Sequence, residues 1–277
     1  MNLDSTGRDG HDAALRARAV GKHEDEAADF AKEYQVLESS GYLASAFLLG
    51  RGRIDAVLDD GLSVLPAGAD VLDAGCGTGS QIQDLTRRGY EVVGVEPAGE
   101  MRRRAMDLNP GVSIHDGSIL SLPFPDSSFD AVIALEVLRY LPAADVRIAY
   151  REMQRVLRPN GLLVVTLVNR WAIDGYYIWE KVMTRRALRT GLDMRAHCEF
   201  VTPQQVRRDL AGYGFDRVKT VGRLLIPLRW AYKVGNGVGR VIAKVLDPID
   251  KFVSRIPGTT PFAGHLIVLA RRPARRN

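Results

Sequence analysis

The sequence predicts an α/β fold: a seven-stranded, mainly parallel sheet with helices on both faces. Three observations predict it. From residue 70 onward, short runs rich in Val, Ile and Leu alternate with stretches of helical periodicity. The runs read as strands buried on both faces, as in a parallel sheet. Gly, Pro, Asn and Asp punctuate the junctions. Strand–helix–strand order implies right-handed crossovers. These bring the carboxyl ends of the strands to one rim, where ligands bind.

Taken in order, residues 24–60 place apolar side chains at helical spacing through FAKEYQVL and LASAFLLGRGRIDAVL, while the first two dozen residues are expected to be mobile. DVLDAGCG (70–77) reads as a strand and SQIQDLTRRG (80–89) as a helix closed by Gly89. YEVVGVEP (90–97) is a strand stopped by Pro97, GEMRRRAMDL (99–108) a helix, and VSIHDGS (112–118) a short strand. FDAVIALEVL (129–138) is a buried strand, and AADVRIAYREMQRVL (143–157) a helix ended by RPNG. GLLVVTLVN (161–169) is a β-branched strand, TPQQVRRDLAGYGF (202–215) a capped helix, and DRVKTVGR and HLIVLARR (265–272) are the last two strands. The segments 170–199 and 224–262 interrupt the rhythm as insertions into a domain of residues 70–277. Residues 1–69 precede it as a tail and capping helices.

Composition narrows the function classes. With 277 residues and 46% hydrophobic content the chain can bury a full core. The net charge of +5 is modest, and its arginines are spread over helices. No base-flipping motif of the Asn-Pro-Pro-Tyr type occurs, so nucleic acid is not an expected partner. No apolar run approaches the length of a membrane span, and no secretory leader is visible. Cys76 and Cys198 match no metal spacing and read as reduced thiols of a cytoplasmic protein.

The stretch VLDAGCGTGSQ (71–81) carries the chemistry. Its glycines follow G-x-G-x-G, not the dinucleotide pattern, and no Gly-Lys-Ser/Thr follows. Asp73 stands two residues before Gly75 and would repel a pyrophosphate but attract a cation. A nucleoside-like ligand with positive charge and no phosphate fits, and S-adenosylmethionine (SAM) is such a ligand.

Together with VVGVEPAGEM, HDGSILSLPFPDSSFDAVIALEVLRYL and LRPNGLLVVT, this stretch resembles the class I SAM-dependent methyltransferases. Among them it looks most like the small-molecule branch that includes ubiquinone-type O-methyltransferases. The resemblance covers about residues 70–170, is weaker through HCEFVTPQQVRRDLAGYGF, and implies a Rossmann-like sheet. It also implies roles. Asp73 orients the methionine ammonium, and Gly75, Cys76, Gly77 and Gly79 admit the cofactor. Glu96, with Pro97, accepts from the ribose hydroxyls. Met101 packs near the adenine, Asp116 accepts from its amino group beside Gly117 and Ser118, and Tyr34 closes over the site. For Met101 and Tyr34, core packing explains the residue equally well.

Methyl transfer to a small-molecule hydroxyl needs alignment and a proton acceptor, not a covalent nucleophile. Two candidates are Glu136, which the resemblance also places among the cofactor contacts, and His197. Metal-binding relatives carry Glu-x-x-Glu-His where this chain reads Glu136, Val137, Leu138, Arg139, Tyr140, so no metal is expected. Trp171, Tyr176, Tyr177 and Trp179 suggest an aromatic lid over a lipophilic acceptor, although core filling would look the same. In 224–258, Arg240, Lys244, Lys251 and Arg255 line one side of a helical segment interrupted by Pro248, and Val241, Val245, Leu246, Ile249, Phe252 and Val253 fill the other. Such a segment can lie on the inner face of an anionic membrane, cap the pocket or meet a partner chain, and a solvated basic face is the commonest reading of such a pattern. The functional alternatives are a methyltransferase of an isoprenoid, lipid-linked or glycosidic acceptor at the membrane surface, and a SAM-binding scaffold without catalysis.

Overall fold

The computed structural model describes residues 5–190 and 197–274; residues 191–196 of the 170–199 segment and the end of the C-terminal RRPARR run lie outside them. Two helices, α1 (Ser5–Ser40) and α2 (Ala46–Leu62), precede the alternating part. There follow β1 (Asp70–Ala74), α3 (Ser80–Arg87), β2 (Glu91–Val95), α4 (Gly99–Leu108), β3 (Ile114–His115), β4 (Phe129–Ala134), α5 (Ala143–Val156) and β5 (Leu157–Asn169). The remainder is α6 (Tyr176–Thr190), β6 (Phe200–Val201), α7 (Pro203–Gly212), β7 (Asp216–Arg223), α8 (Leu228–Val234), α9 (Asn236–Val253) and β8 (His265–Arg271).

The sheet has eight strands in the order β3-β2-β1-β4-β5-β8-β7, with β6 pairing on the end of β5. β8 is antiparallel to both its neighbours, and the other pairings are parallel. The chain leaves β1 in one direction and returns to β4 on its other side. That reversal opens a crevice beyond the carboxyl ends of β1 and β4. Because β8 runs backward, its first residue, His265, pairs with Val168 near the carboxyl end of β5. An antiparallel strand thus delivers its opening residue to the same rim.

Alternate residues of the strands face two cores. Leu72, Val132, Ala134, Leu163 and Val165 pack with Val146, Tyr150 and Met153 of α5 and with Val206 and Leu210 of α7. Val71, Ala131, Ile133, Leu162 and Val164 pack with Ile54, Leu58 and Leu62 of α2, Ile82 and Leu85 of α3, and Ala105 of α4. Both faces are therefore covered, as the continuous apolar runs require.

Several expectations are corrected. β6 is an eighth strand; two residues carry no periodicity, so the sequence does not announce it. Residues 5–24, expected to be mobile, are helical, because α1 (Ser5–Ser40) is tied down by Arg16 to Asp145 at 2.7 Å; residues 1–4 lie outside the described residues. The run 129–138 stops at Ala134 as a strand, since Glu136 takes a left-handed φ of 60° and a short 3-10 turn, Leu138–Tyr140, follows. RPNG does not separate helix from strand but joins β5, with the register shifting between Phe129 and Ala131 of the partner strand. α9 continues through Pro248 without interruption.

Candidate active site

The glycine loop follows β1 directly. The N–H groups of Gly75 and Cys76 both donate to the carbonyl of Val95, at 2.7 and 3.1 Å, so the turn is stitched to the end of β2. Gly75 has φ +87°, and a Cβ there would sit 2.4 Å from Val137 Cγ2. Gly79, φ +80°, caps α3, and a Cβ there would lie 2.9 Å from the backbone of Ala105. A side chain at either position needs a strained backbone and a displaced neighbour. At Gly77 a Cβ would meet nothing within 4 Å, so the loop opens there.

Around this loop lies a cavity of about 940 Å³. Its walls come from α1 (Val20, His23, Phe30, Tyr34), from α2 (Phe47, Arg51, Ile54) and from the sheet rim. The rim contributes Asp73, Gly75, Cys76, Gly77, Glu96, Pro97, Met101, Ser118 and Glu136. Arg139, Tyr140, Leu224, Arg229 and His265 also line it. α1 is held over the rim by Glu24, whose carboxylate accepts from the first N–H groups of α4, Gly99 and Glu100 (the latter at 2.7 Å).

At the glycine loop the cavity is acidic. Asp73 is buried, and its Oδ2 has no hydrogen-bond partner among the described residues. Burial pushes its carboxyl up to about 7; Arg51 opposes the shift and Glu96 adds to it. A buried carboxylate without a donor is a receptor for a cation. Glu96 accepts from Gly77 N–H and Ala98 N–H, both at 2.9 Å. Each of its oxygens keeps a second lone pair for a hydroxyl. Arg51, paired with Asp55 at 2.7 Å, also donates to the Tyr34 hydroxyl at 3.2 Å.

At β4 and β8 the groups differ. Glu136 Oε2 accepts from Arg139 at 2.9 Å, and its backbone N–H donates to Thr166 Oγ1 at 2.6 Å. Burial alone would raise the Glu136 carboxyl, but the Arg139 guanidinium and its hydrogen bond oppose that and hold the group ionised, and a charged His265 would lower it further. Such a group is a weak proton acceptor. His265 is the reverse case. Burial lowers its pKa, Arg229 and Arg139 add to that, and Glu136 only partly compensates. Its Nδ1 is buried without a partner. It therefore stands in the cavity as a neutral imidazole able to take a proton.

Most of the residues singled out in the sequence come together here: Tyr34, Asp73, Gly75, Cys76, Gly77, Glu96, Pro97, Met101, Ser118 and Glu136 share the cavity wall. Gly79 stands behind the loop as the cap of α3. Asp116 and Gly117 are off the wall; the Asp116 side chain is 74% exposed and pairs with Arg102 at 3.1 Å. His197 is also off the wall and bonds Glu199 at 3.2 Å. Trp171, Tyr176, Tyr177 and Trp179 do not line the cavity either. Tyr176 stacks on Trp179, Trp179 meets Trp230 edge-on, and Tyr177 meets Phe200, which knits α6 to α8 and β6. Sequence reasoning missed Arg51 and His265. Arg51 looked like one more polar position on a helix, and His265 like the first residue of an ordinary strand.

Residues 72–165 match the family described as "Methyltransferase domain". A ubiquinone biosynthesis O-methyltransferase from Azorhizobium caulinodans is 27% identical over 60% of this chain and 66% of its own length. A 2-methyl-6-phytyl-1,4-hydroquinone methyltransferase from Synechocystis is 32% identical over 56% of this chain and 48% of its own. A solved SAM-dependent methyltransferase from Thermotoga maritima has the same fold, with a TM-score of 0.56 at 19% identity, covering 90% of this chain and 97% of that one.

Residues 72–165 carry a methyltransferase domain.

The matches span 66% and 48% of the length of those two curated relatives. The methyltransferase domain's cofactor is SAM, and the residues in place fit it. The orphaned Asp73 oxygen suits an ammonium, the bare loop at Gly77 admits the ligand, and Glu96 offers acceptors for ribose hydroxyls. Among the described residues, no three His, Cys, Asp or Glu side chains gather as metal donors. The domain's described helices include none long and apolar enough to cross a membrane.

Proposed function

We propose that this protein transfers a methyl group from SAM to a hydroxyl of a lipophilic small molecule, without a metal. The observation that carries the reading is one cavity joining the Asp73 and Glu96 carboxylates to the His265 imidazole across a largely apolar interior. SAM supplies an electrophilic methyl on a good leaving group. The chain's own task is to orient, to exclude water and to remove a proton. Asp73 holds the ammonium, Arg51 faces it as the counterpart for the carboxylate, and Glu96 takes the ribose. His265, a neutral imidazole on the cavity wall, accepts the proton of the acceptor hydroxyl as oxygen becomes the nucleophile. Glu136, held ionised by Arg139, stabilises the imidazolium that results.

The acceptor reading is supported by Val20, Phe30, Phe47, Leu224 and Ile148, which give the cavity an apolar wall suited to an isoprenoid or aromatic body. It is supported too by the two curated relatives, one named for ubiquinone biosynthesis and the other for a phytyl hydroquinone. The test is methyl transfer from labelled SAM to a panel of prenylated phenols, simple phenols and amines, with the wild-type chain and with His265→Gln. The reading expects turnover on hydroxylated lipophilic acceptors. In His265→Gln, kcat should fall about 10²–10⁴-fold with cofactor affinity unchanged. Turnover confined to amines, or a fully active His265→Gln, would refute it.

A further inference from the structure

Helix α9 packs Ile242, Ala243 and Leu246 against Leu49, Leu224 and Leu228, yet it also leaves an apolar stripe exposed. Its protein-facing side carries Asp247 and Asp250, both closed on the buried guanidinium of Arg53 (Asp250 Oδ2 at 3.0 Å), beside the small Gly239 and Ala243. Its outer side carries Val238, Val241, Val245, Ile249 and Phe252, continued by Ile256 in the turn that follows. Steps of three and four keep these on one side of the helix. Val241 is 67% exposed and Phe252 69%. An ordinary surface helix places its charges outward and its apolar stripe inward. A continuous exposed stripe marks a surface that meets something apolar.

The charges beside the stripe say what. Arg240, Lys244 and Arg255 are exposed along one edge and have no ion-pair partner among the described residues. Between residues 224 and 264 the chain's carboxylates are Asp247 and Asp250 alone, both turned inward. The outer face is therefore apolar, edged by cations and free of acids. A second copy of the same face would bring like charges together. An anionic bilayer offers the complement, with phosphates above and acyl chains below.

We infer that α9 lies in the plane of an anionic lipid surface. Val241, Val245, Ile249 and Phe252 enter the head-group and acyl boundary, and Arg240, Lys244 and Arg255 meet the phosphates. Through Arg53 the helix is fastened to α2, whose Arg51 and Ile54 line the cavity, so docking brings the cavity-bearing part of the fold to the lipid.

The test is co-sedimentation of the full chain with phosphatidylglycerol–phosphatidylcholine vesicles and with phosphatidylcholine vesicles alone, at rising salt. It needs no turnover, so its outcome is separate from that of the methyl-transfer reading. The wild-type chain should bind the anionic vesicles and be released by salt. The Arg240→Gln, Lys244→Gln, Arg255→Gln triple variant should partition about a hundredfold more weakly. Val241→Ser with Phe252→Ser should lose vesicle binding. Both variants alter outward side chains, and unchanged circular dichroism and melting would verify their folds. Wild-type chain left in the supernatant, or both variants binding like wild type, would overturn the inference. So would a dimer that the apolar variant dissolves while vesicles bind nothing.

Discussion

Glu96 accepts the backbone N–H of Gly77 at 2.9 Å, so the acid that ends β2 holds the loop that ends β1. Its other oxygen accepts from Ala98. Glu96→Ala strips both N–H groups of their partner and removes an acceptor for the ligand. It should raise the Kd for S-adenosylhomocysteine about 10–100-fold, from charged-acceptor bonds worth about 1.5–3 kcal/mol each. Glu96→Gln, which keeps one acceptor oxygen, should lose less. Titration calorimetry reads both.

Asp73 makes cofactor affinity depend on pH. Its carboxyl titrates at about 7 in the fold against an ordinary 3.8. The cation needs the ionised form, so affinity should climb up to tenfold per unit as pH rises toward about 7 and level off above it. Stability of the ligand-free chain runs the other way. Between the two values the unfolded chain has lost the proton that the native chain keeps. Stability contributed by this group therefore falls as pH rises, by up to about 1.4 kcal/mol per unit. Asp73→Asn should melt higher than wild type at neutral pH without ligand and bind SAM far more weakly.

Gly75→Ala should destabilise the fold by about 1–3 kcal/mol, from a left-handed backbone and a Cβ driven at Val137. Adding Val137→Ala should recover the steric part and leave the backbone part. Chemical denaturation of the single and double variants separates the two.

Arg53 holds two buried carboxylates. Arg53→Met leaves Asp250 without a counter-charge and Asp247 with Lys251 alone, and should cost about 3–5 kcal/mol. Restoring neutrality with Asp247→Asn and Asp250→Asn in the same chain should return part of that loss, read in the same denaturation experiment.

The sheet was legible because its strands are buried on both faces, which leaves near-continuous apolar runs such as Val71–Leu72 and Leu162–Val168. The cofactor end was legible because the glycines, Asp73 and Glu96 lie at fixed distances from strand ends. What escaped was set by tertiary contact. β6 exists because two residues meet the end of β5. α1 begins at Ser5, and its order rests on Arg16 and Glu24 reaching Asp145 and α4. The sequence offered Glu136 and His197 as candidate proton acceptors. An antiparallel strand also carries His265 onto the cavity wall, from more than a hundred residues beyond Glu136. In α9 the periodicity was plain, but nothing in it said which side would face out.

Every step proposed for this site depends on a sulfonium nucleoside lying across the rim with its ammonium on Asp73. The most direct measurement is calorimetric titration of the intact chain with SAM, above the Asp73 transition, alongside Asp73→Asn. Wild type should bind saturably at a single site and the variant at least about tenfold more weakly, the loss of one charged contact. A folded wild-type chain that takes up no SAM, or an Asp73→Asn chain that binds it as tightly, would rule this placement out.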